Sequence, residues 1–565
     1  MAKELEALRN QRNDGPSQGT NESPSLPESS HESPDHPLEL SGIALLDDAN
    51  LDEQYELEDC VIGRETIVEI FKLFCHHFYP HLPILNPSIS ISGLFETSPI
   101  LFWTIIAIVT ERPVLPAHSY IRDVLQEPFL CMFRAEILDA PLPLHTILAI
   151  NYMTMFPFTV SHQMKDPSWL YSGVAVNAAM YMGLHRTKPA PSLRSIGVYA
   201  GSPRARAHTW LGCFVASTAL AKHVGVTAPI KRLADLAAIE NMVRTYPLPP
   251  EFAYQVMVYH ILAKFFNTII ENSEENISHS LIGIIDAELD NLKTRFPTPW
   301  TPRVEMNYLT AKMLLYTTVI LRLREDRGSR EILMRNCLSV AVRIAYLTDQ
   351  GLAYQSAEFP DLRFEDLRNT LPKNYYRILV LSTAFLIRFF VLNNRATTEE
   401  QELARNHVAI AQRYLKLACN DPRDERVRGA ILFGVLCQQQ PIDLEKSKLK
   451  VDDRMAASLL YDAITTGHVL RDLPVEIEES PPKSSSKAGS DGQARREENS
   501  HAIQPEQLEQ PMTMPEFEQM EFAFPDDLWG DSIWGMFDPI VPVPAPQTLY
   551  TDADFYAQHG FHHPH

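Results

Sequence analysis

The sequence predicts an all-α fold: a large helical domain flanked by disordered N- and C-terminal segments. Three observations carry this. From about residue 60 to residue 471, apolar side chains recur at three- and four-residue spacing, and alternation of β-branched residues is nowhere sustained. The 42 prolines gather at the two ends and at a few sharp breaks, which leaves the middle free to fold. No repeat of fixed period runs through the helices, so the pattern is not that of a regular solenoid.

In chain order, residues 1–15 (MAKELEALRNQRNDG) are rich in helix formers, with Leu5 and Leu8 three apart. Alone, such a segment is too short to hold a helix in water. It reads either as a frayed terminus or as the remnant of a coiled coil. Residues 16–59 are mostly Pro, Ser, Glu, Asn and His with little to bury, the composition of a disordered linker, and the apolar group at 43–46 is expected to dock on the body.

The first helix is expected at 65–79, where Ile67, Ile70, Phe71, Phe74, Cys75 and Phe78 form a broad apolar face. Pro80 and Pro83 stop it, and Leu82, Ile84 and Leu85 should insert against the next helix. That helix runs from Pro99 through Val109, is apolar nearly all round, and belongs at the centre. Two more follow at 120–138 and 143–156. In 169–182, Ala175, Ala178 and Ala179 let a neighbouring helix come close, and Gly183 suits a helix end. Residues 203–222 carry Arg204, Arg206 and His208 near the start and Trp210 farther along, with Gly225 beyond the end. Amphipathic spacing then predicts helices at 233–245, 252–271, 278–294, 304–325, 329–347, 373–393, 401–419, 425–437 and 452–471.

Residues 472–514 form a second polar linker, in which PPKSSSK is a sparse basic cluster. The tail at 515–565 is different in kind. Glu516, Glu518, Glu521, Asp526, Asp527, Asp531 and Asp538 are interleaved with Phe517, Phe522, Phe524, Leu528, Trp529, Ile533, Trp534 and Phe537. Acid repulsion discourages collapse and keeps the aromatic side chains available to a partner groove, where they can be buried as a short helix. The alternative is that the tail packs back on the domain.

Several function classes are disfavoured. A net charge of −21 argues against wrapping nucleic acid over a broad surface. The seven cysteines, no two closer than fifteen residues, suit a reducing compartment and make neither a disulfide framework nor a closely spaced zinc site. The N-terminus lacks a signal-peptide pattern, and apolar runs such as 101–109 are too short to span a bilayer, so no membrane partner is expected. Cys75, His76 and His77 are adjacent on one helix and do not face one metal, while FHHPH at 561–565 has nothing to order it. No nucleophile-elbow, Walker A, zincin or dinucleotide fingerprint occurs, which argues against an enzyme.

Four stretches carry a resemblance. FCHHFYPHLPILNP (74–87), LFWTIIAIVTER (101–112), NAAMYMGLHR (177–186) and RARAHTWLGCFVASTALAKHVGVTAPI (204–230) resemble the middle homology region of fungal zinc-cluster transcription factors. The resemblance covers about 60–230; from 240 to 471 only helical character supports it. It implies a nuclear transcription regulator, an activator of a metabolic or biosynthetic pathway such as secondary metabolism, with a helical regulatory domain at 60–471. It also implies an activating tail with Phe524, Leu528, Trp529, Trp534 and Phe537 as its contact residues. His185, Arg186, Arg204, Arg206 and Trp210 become the regulatory-domain candidates. The implied partners are the transcription machinery or a coactivator, a second copy or a full zinc-cluster factor, and a small-molecule effector. Two departures stand out. No cysteine precedes Cys60, so the family's zinc cluster is expected to be missing or supplied by a partner, direct DNA contact would need a module not seen here, and no cofactor is assigned. Residues 225–230 read GVTAPI where many members have Gly-Arg-Pro. Two rival readings are a cofactor or inhibitor that pairs with a full zinc-cluster factor and an all-α enzyme of the terpene-cyclase kind. The enzyme would need a D-D-x-x-D cluster, which neither DLRFEDL (361–367) nor DDRM (452–455) supplies.

Overall fold

Ahead of the first helix stands a small antiparallel hairpin, β1 (Gln54–Leu57) and β2 (Cys60–Gly63), with Gln54 opposite Gly63 and Leu57 opposite Cys60. The computed structural model describes residues 50–472 apart from 87–88, 113, 161–164, 187, 189–190, 196–200, 272–278, 323–326, 351, 353–358, 360–361 and 418–423. The expected N-terminal helix, both polar linkers beyond those bounds, the 43–46 group and the acidic tail with Phe524, Leu528, Trp529, Trp534 and Phe537 lie outside the described residues. The hairpin corrects the reading of 16–59 as linker throughout. Tyr55 and Ile62 are buried, and the Tyr55 ring meets Phe95 at 5.0 Å and Phe102 at 5.1 Å. Strands of four residues are too short for a period of two to be read with assurance.

The chain continues directly into α1 (Arg64–Leu73), whose buried face is Ile67, Ile70, Phe71 and Leu73. The helix expected through 79 changes pitch at Phe74. Phe74–Phe78 is a π turn and Tyr79–His81 a 3₁₀ turn. The wider turn buries Phe74, Cys75, His77 and Phe78, four of its five residues, which a regular α-helix at this point would not do. Leu82, Ile84 and Leu85 insert as expected, and the Tyr152 hydroxyl donates to the Leu82 carbonyl at 2.9 Å.

A short helix, α2 (Ile91–Thr97), follows; its Ser90 cap accepts from the Gly93 amide at 3.0 Å. In α3 (Pro99–Glu111) every residue from Ile100 onward is buried, which is the central helix its composition predicts. Next come α4 (Ser119–Glu136), α5 (Leu144–Met155), α6 (Ser168–Tyr181), the single turn α7 (Pro191–Ser195) and α8 (Pro203–Val224). Helices α5, α6 and α8 pack on one another. Ala175 and Ala179 are buried at that junction. Gly212 matters there too, since a Cβ at that position would lie 2.8 Å from Ile84 Cδ1.

The second half comprises α9 (Leu233–Thr245), α10 (Pro250–Glu271), α11 (His279–Arg295), α12 (Pro302–Arg322), α13 (Arg327–Gln350), α14 (Phe364–Leu367), α15 (Lys373–Leu386), α16 (Thr398–Leu417), α17 (Glu425–Leu436) and α18 (Ser458–Asp472). The expected helix at 452–471 starts later, because Met455–Ala457 is a 3₁₀ turn with Met455 at φ 49°. α15 runs on through a second π turn, Ile387–Val391, and packs against α8, α12, α13, α16, α17 and α18. Its length and apolarity would suit a membrane span, but 83% of that apolar window is buried inside the protein, so it is a core helix. One apolar cluster extends from Tyr55 to Ile464.

α8 ends on Gly225, which is left-handed at φ 76°, and the Val226 amide reaches back to the Ala221 carbonyl at 2.9 Å. A Cβ at Gly225 would stand 2.1 Å from the Arg454 carbonyl oxygen. Gly225→Ala is therefore expected to lower stability in urea denaturation by more than the ~1 kcal/mol of an ordinary left-handed penalty. Three buried rings set a pH dependence. Burial, joined by His76 for His77, by Arg204 for His208 and by Lys264 for His260, pushes each imidazole down to about 4 from the ordinary 6.5. The unfolded chain takes up these protons near 6.5 and the folded chain does not, so stability is full above that value and declines as pH falls toward 4. Urea midpoints taken at about pH 7.5 and about pH 5 should show a loss on the order of 1–2 kcal/mol per ring.

Candidate functional site

Two places in the body concentrate polar groups where the surroundings are apolar. The first is the junction between α6 and α8. Gly183 closes α6 in the left-handed conformation at φ 65°, with the Leu184 amide donating to the Ala179 carbonyl at 2.9 Å. Arg206, in the first turn of α8 and 1% exposed, donates through Nη2 to the Gly183 and Arg186 carbonyls, both at 2.9 Å. The guanidinium thereby bridges two carbonyls of the turn that follows α6, of which Gly183 also accepts from the Arg186 amide at 3.1 Å. His185 packs against the buried Trp210 ring at 5.8 Å, and Arg186 Nε donates to His185 Nε2 at 3.2 Å.

Four of the five residues singled out from the sequence thus converge. Arg204 stands apart: it is half-buried and acts on the neighbouring His208 ring. The junction is a clamp on a chain reversal.

The second place was not visible in the sequence. A cavity of about 80 Å³ lies among the end of α8 (Lys222, Val224), α15 (Lys373, Arg377, Leu381), the start of α17 (Glu425) and α18 (Leu460, Ile464). Behind it, Asp166 accepts from Lys373 Nζ at 2.8 Å, from Arg377 Nη2 at 3.2 Å and from the Ser168 amide at 2.9 Å. Burial alone would raise the Asp166 carboxyl, but Lys373 and Arg377 overcome it and hold the group well below the usual carboxylate range. Lys373 Nζ also reaches Glu425 at 2.7 Å, and Glu425 meets Arg112 at 3.6 Å. One residue back, at the end of α3, Glu111 accepts from the Thr159 amide at 2.7 Å and pairs with Arg122 at 3.5 Å.

Lys222 is the exception in this charged wall. Every residue of α8 from Arg206 to Lys222 is buried. Among the described residues the Lys222 ammonium meets only the Phe266 ring, 3.6 Å from its centroid. Burial pushes its pKa down to about 7. The available sequence signal was a lysine closing an otherwise apolar helical face. For Asp166, Lys373 and Glu425 no local signal exists, because their partners lie far along the chain, Arg377 211 residues from Asp166 and Arg112 farther still from Glu425. Among the described residues, no group of three or more His, Cys, Asp or Glu is placed to hold a metal ion.

No family model and no solved structure matches the chain. It is similar to SEF1 of Eremothecium gossypii, named as a transcription factor, with 24% identity over 280 residues, 47% of this chain and 26% of that protein. It is also similar to the transcriptional regulatory protein SEF1 of Candida albicans, 22% identical over 304 residues, 50% of this chain and 32% of that one. A regulatory protein of Saccharomyces cerevisiae is 22% identical over 250 residues, 41% of this chain and 27% of its own length. The chain spans roughly a quarter to a third of these relatives. Its similarity is to proteins that regulate transcription, none of them named as an enzyme.

Removing the charge of Asp166 would leave Arg377 without its carboxylate and Lys373 with Glu425 alone. Asp166→Asn is expected to destabilise the fold by about 3–5 kcal/mol, the usual cost of breaking a buried pair from one side. Urea denaturation at neutral pH measures it; a loss below about 1 kcal/mol would show that the network is solvated rather than buried.

Proposed function

We propose that this chain is a nuclear transcription regulator of the fungal zinc-cluster type. In this reading, residues 60–471 are its helical regulatory domain and residues 515–565 an activating segment that recruits transcription machinery or a coactivator. The similarity to fungal transcription factors and regulators is the observation that carries it. The packing of the motif stretches supports it. Gly212 of the last stretch abuts Ile84 of the first, and Arg206 grips Gly183 and Arg186 of the third. The regulated genes belong to a metabolic or biosynthetic pathway, and the chain works as a dimer with itself or with a zinc-cluster factor.

A second reading is favoured by the net charge of −21: a cofactor or inhibitor that acts off DNA by pairing with a zinc-cluster factor. Both readings share the helical body and part company at the tail.

The discriminating measurement tethers residues 515–565 to a promoter through an unrelated DNA-binding module. Activation is expected, with a severalfold fall when Trp529 and Trp534 are both replaced by alanine, because aromatic anchors dominate such interfaces. Unchanged output in the double variant would sink the activating tail, and no output from the intact tail would leave the off-DNA reading.

A further inference from the structure

Three cations, Lys222, Lys373 and Arg377, line the cavity against one carboxylate, Glu425. Asp166 and Glu425 between them match Lys373 and Arg377. Lys222 has no such match among the described residues. An ammonium taken out of water without a carboxylate is costly, and the Phe266 face offsets only part of that cost. Lys222 lies in the last turn of α8, where the carbonyl end of the helix favours a cation but supplies no carboxylate to match its charge. His223, Tyr376 and Tyr461 also face the cavity, the imidazole held neutral by burial and Arg377, and most of the remaining wall is hydrocarbon, chiefly Val380, Leu381, Leu460 and Ile464.

We propose that this cavity is a binding site for a small carboxylate with a short alkyl body, whose carboxylate pairs with Lys222 and whose alkyl end packs on Leu381, Leu460 and Ile464. Size and chemistry set the class. A cavity of about 80 Å³ takes several waters or a ligand of a few non-hydrogen atoms. An inorganic oxyanion such as phosphate needs donors around its whole surface, and these walls are mostly hydrocarbon. The site lies between α8, α15 and α18, and Gly225, just past the end of α8, abuts Arg454 in the segment that leads into α18. Burial pushes the Lys222 pKa down to about 7, and a carboxylate beside it favours the ammonium form, so binding near neutral pH is expected to draw in protons.

The experiment is calorimetric titration of the purified full chain with isobutyrate at pH 7, repeated in buffers of low and high ionisation enthalpy. Isobutyramide and inorganic phosphate serve as comparison ligands. The expected result is isobutyrate binding with Kd on the order of 1 mM, accompanied by proton uptake, and no binding of the amide or of phosphate. Lys222→Met keeps the length and apolar stem, should fold at least as well as the parent, and should weaken isobutyrate about tenfold or more. Leu460→Phe leaves Lys222 in place and fills the cavity, so it should also abolish binding and serves should the first variant fail to fold. Equal binding of acid and amide, wild-type affinity in a folded Lys222→Met, phosphate bound in place of isobutyrate, or no isobutyrate binding would each overturn the proposal. No promoter enters these measurements, so they stand or fall separately from the transcriptional reading.

Discussion

The carboxylate of Asp166, set between Lys373 and Arg377, fixes how the two halves of the described body meet. Neither cation can be buried alone, because an unpaired charge in a medium of low polarity costs several kcal/mol. The first half supplies the acid and the second half the bases, 207 and 211 residues apart. Glu425 extends the seam to α17 and Arg112 to α3. Arg428, one turn along α17, adds neutral support by donating to the Val160 carbonyl at 3.3 Å. Apolar burial supplies most of the stability of such a body but does not choose between neighbouring registers. Paired charges do, since sliding one helix by a turn would strand all of them.

Helix α8 joins the two polar sites. Arg206 stands in its first turn and Lys222 in its last, separated by sixteen residues, or about 24 Å of continuous helix. The N-terminal end is clamped to the chain reversal after α6. The C-terminal end is locked by Gly225 against Arg454. At that locked end Lys222 has no carboxylate partner among the described residues. Lys222 and Arg206 thus sit on one rigid element, so a change at either end acts on the same helix.

Much of the fold was legible in the residues. α3 is apolar on every face and is buried from Ile100 onward. Helix ends at Gly183 and Gly225 follow from the left-handed preference of glycine. The misreadings share one cause. Four-residue strands, the α2 segment and the π turn at Phe74–Phe78 are all shorter than the window over which periodicity can be judged. The candidate site divides in the same way. His185, Arg186, Arg206 and Trp210 are close in sequence and meet at one turn, whereas Lys222, Lys373, Arg377 and Glu425 come from three separate helices.

By itself, then, the sequence determined where helices form, which face each buries and where glycine or proline ends them, because these depend on interactions a few residues apart. Tertiary structure alone decided which acid meets which base and which lysine is left without one. Those pairings join Asp166 to Lys373 and Arg377 across 207 and 211 positions and Arg112 to Glu425 across a still longer span, and no local pattern of side chains encodes a partner at that distance.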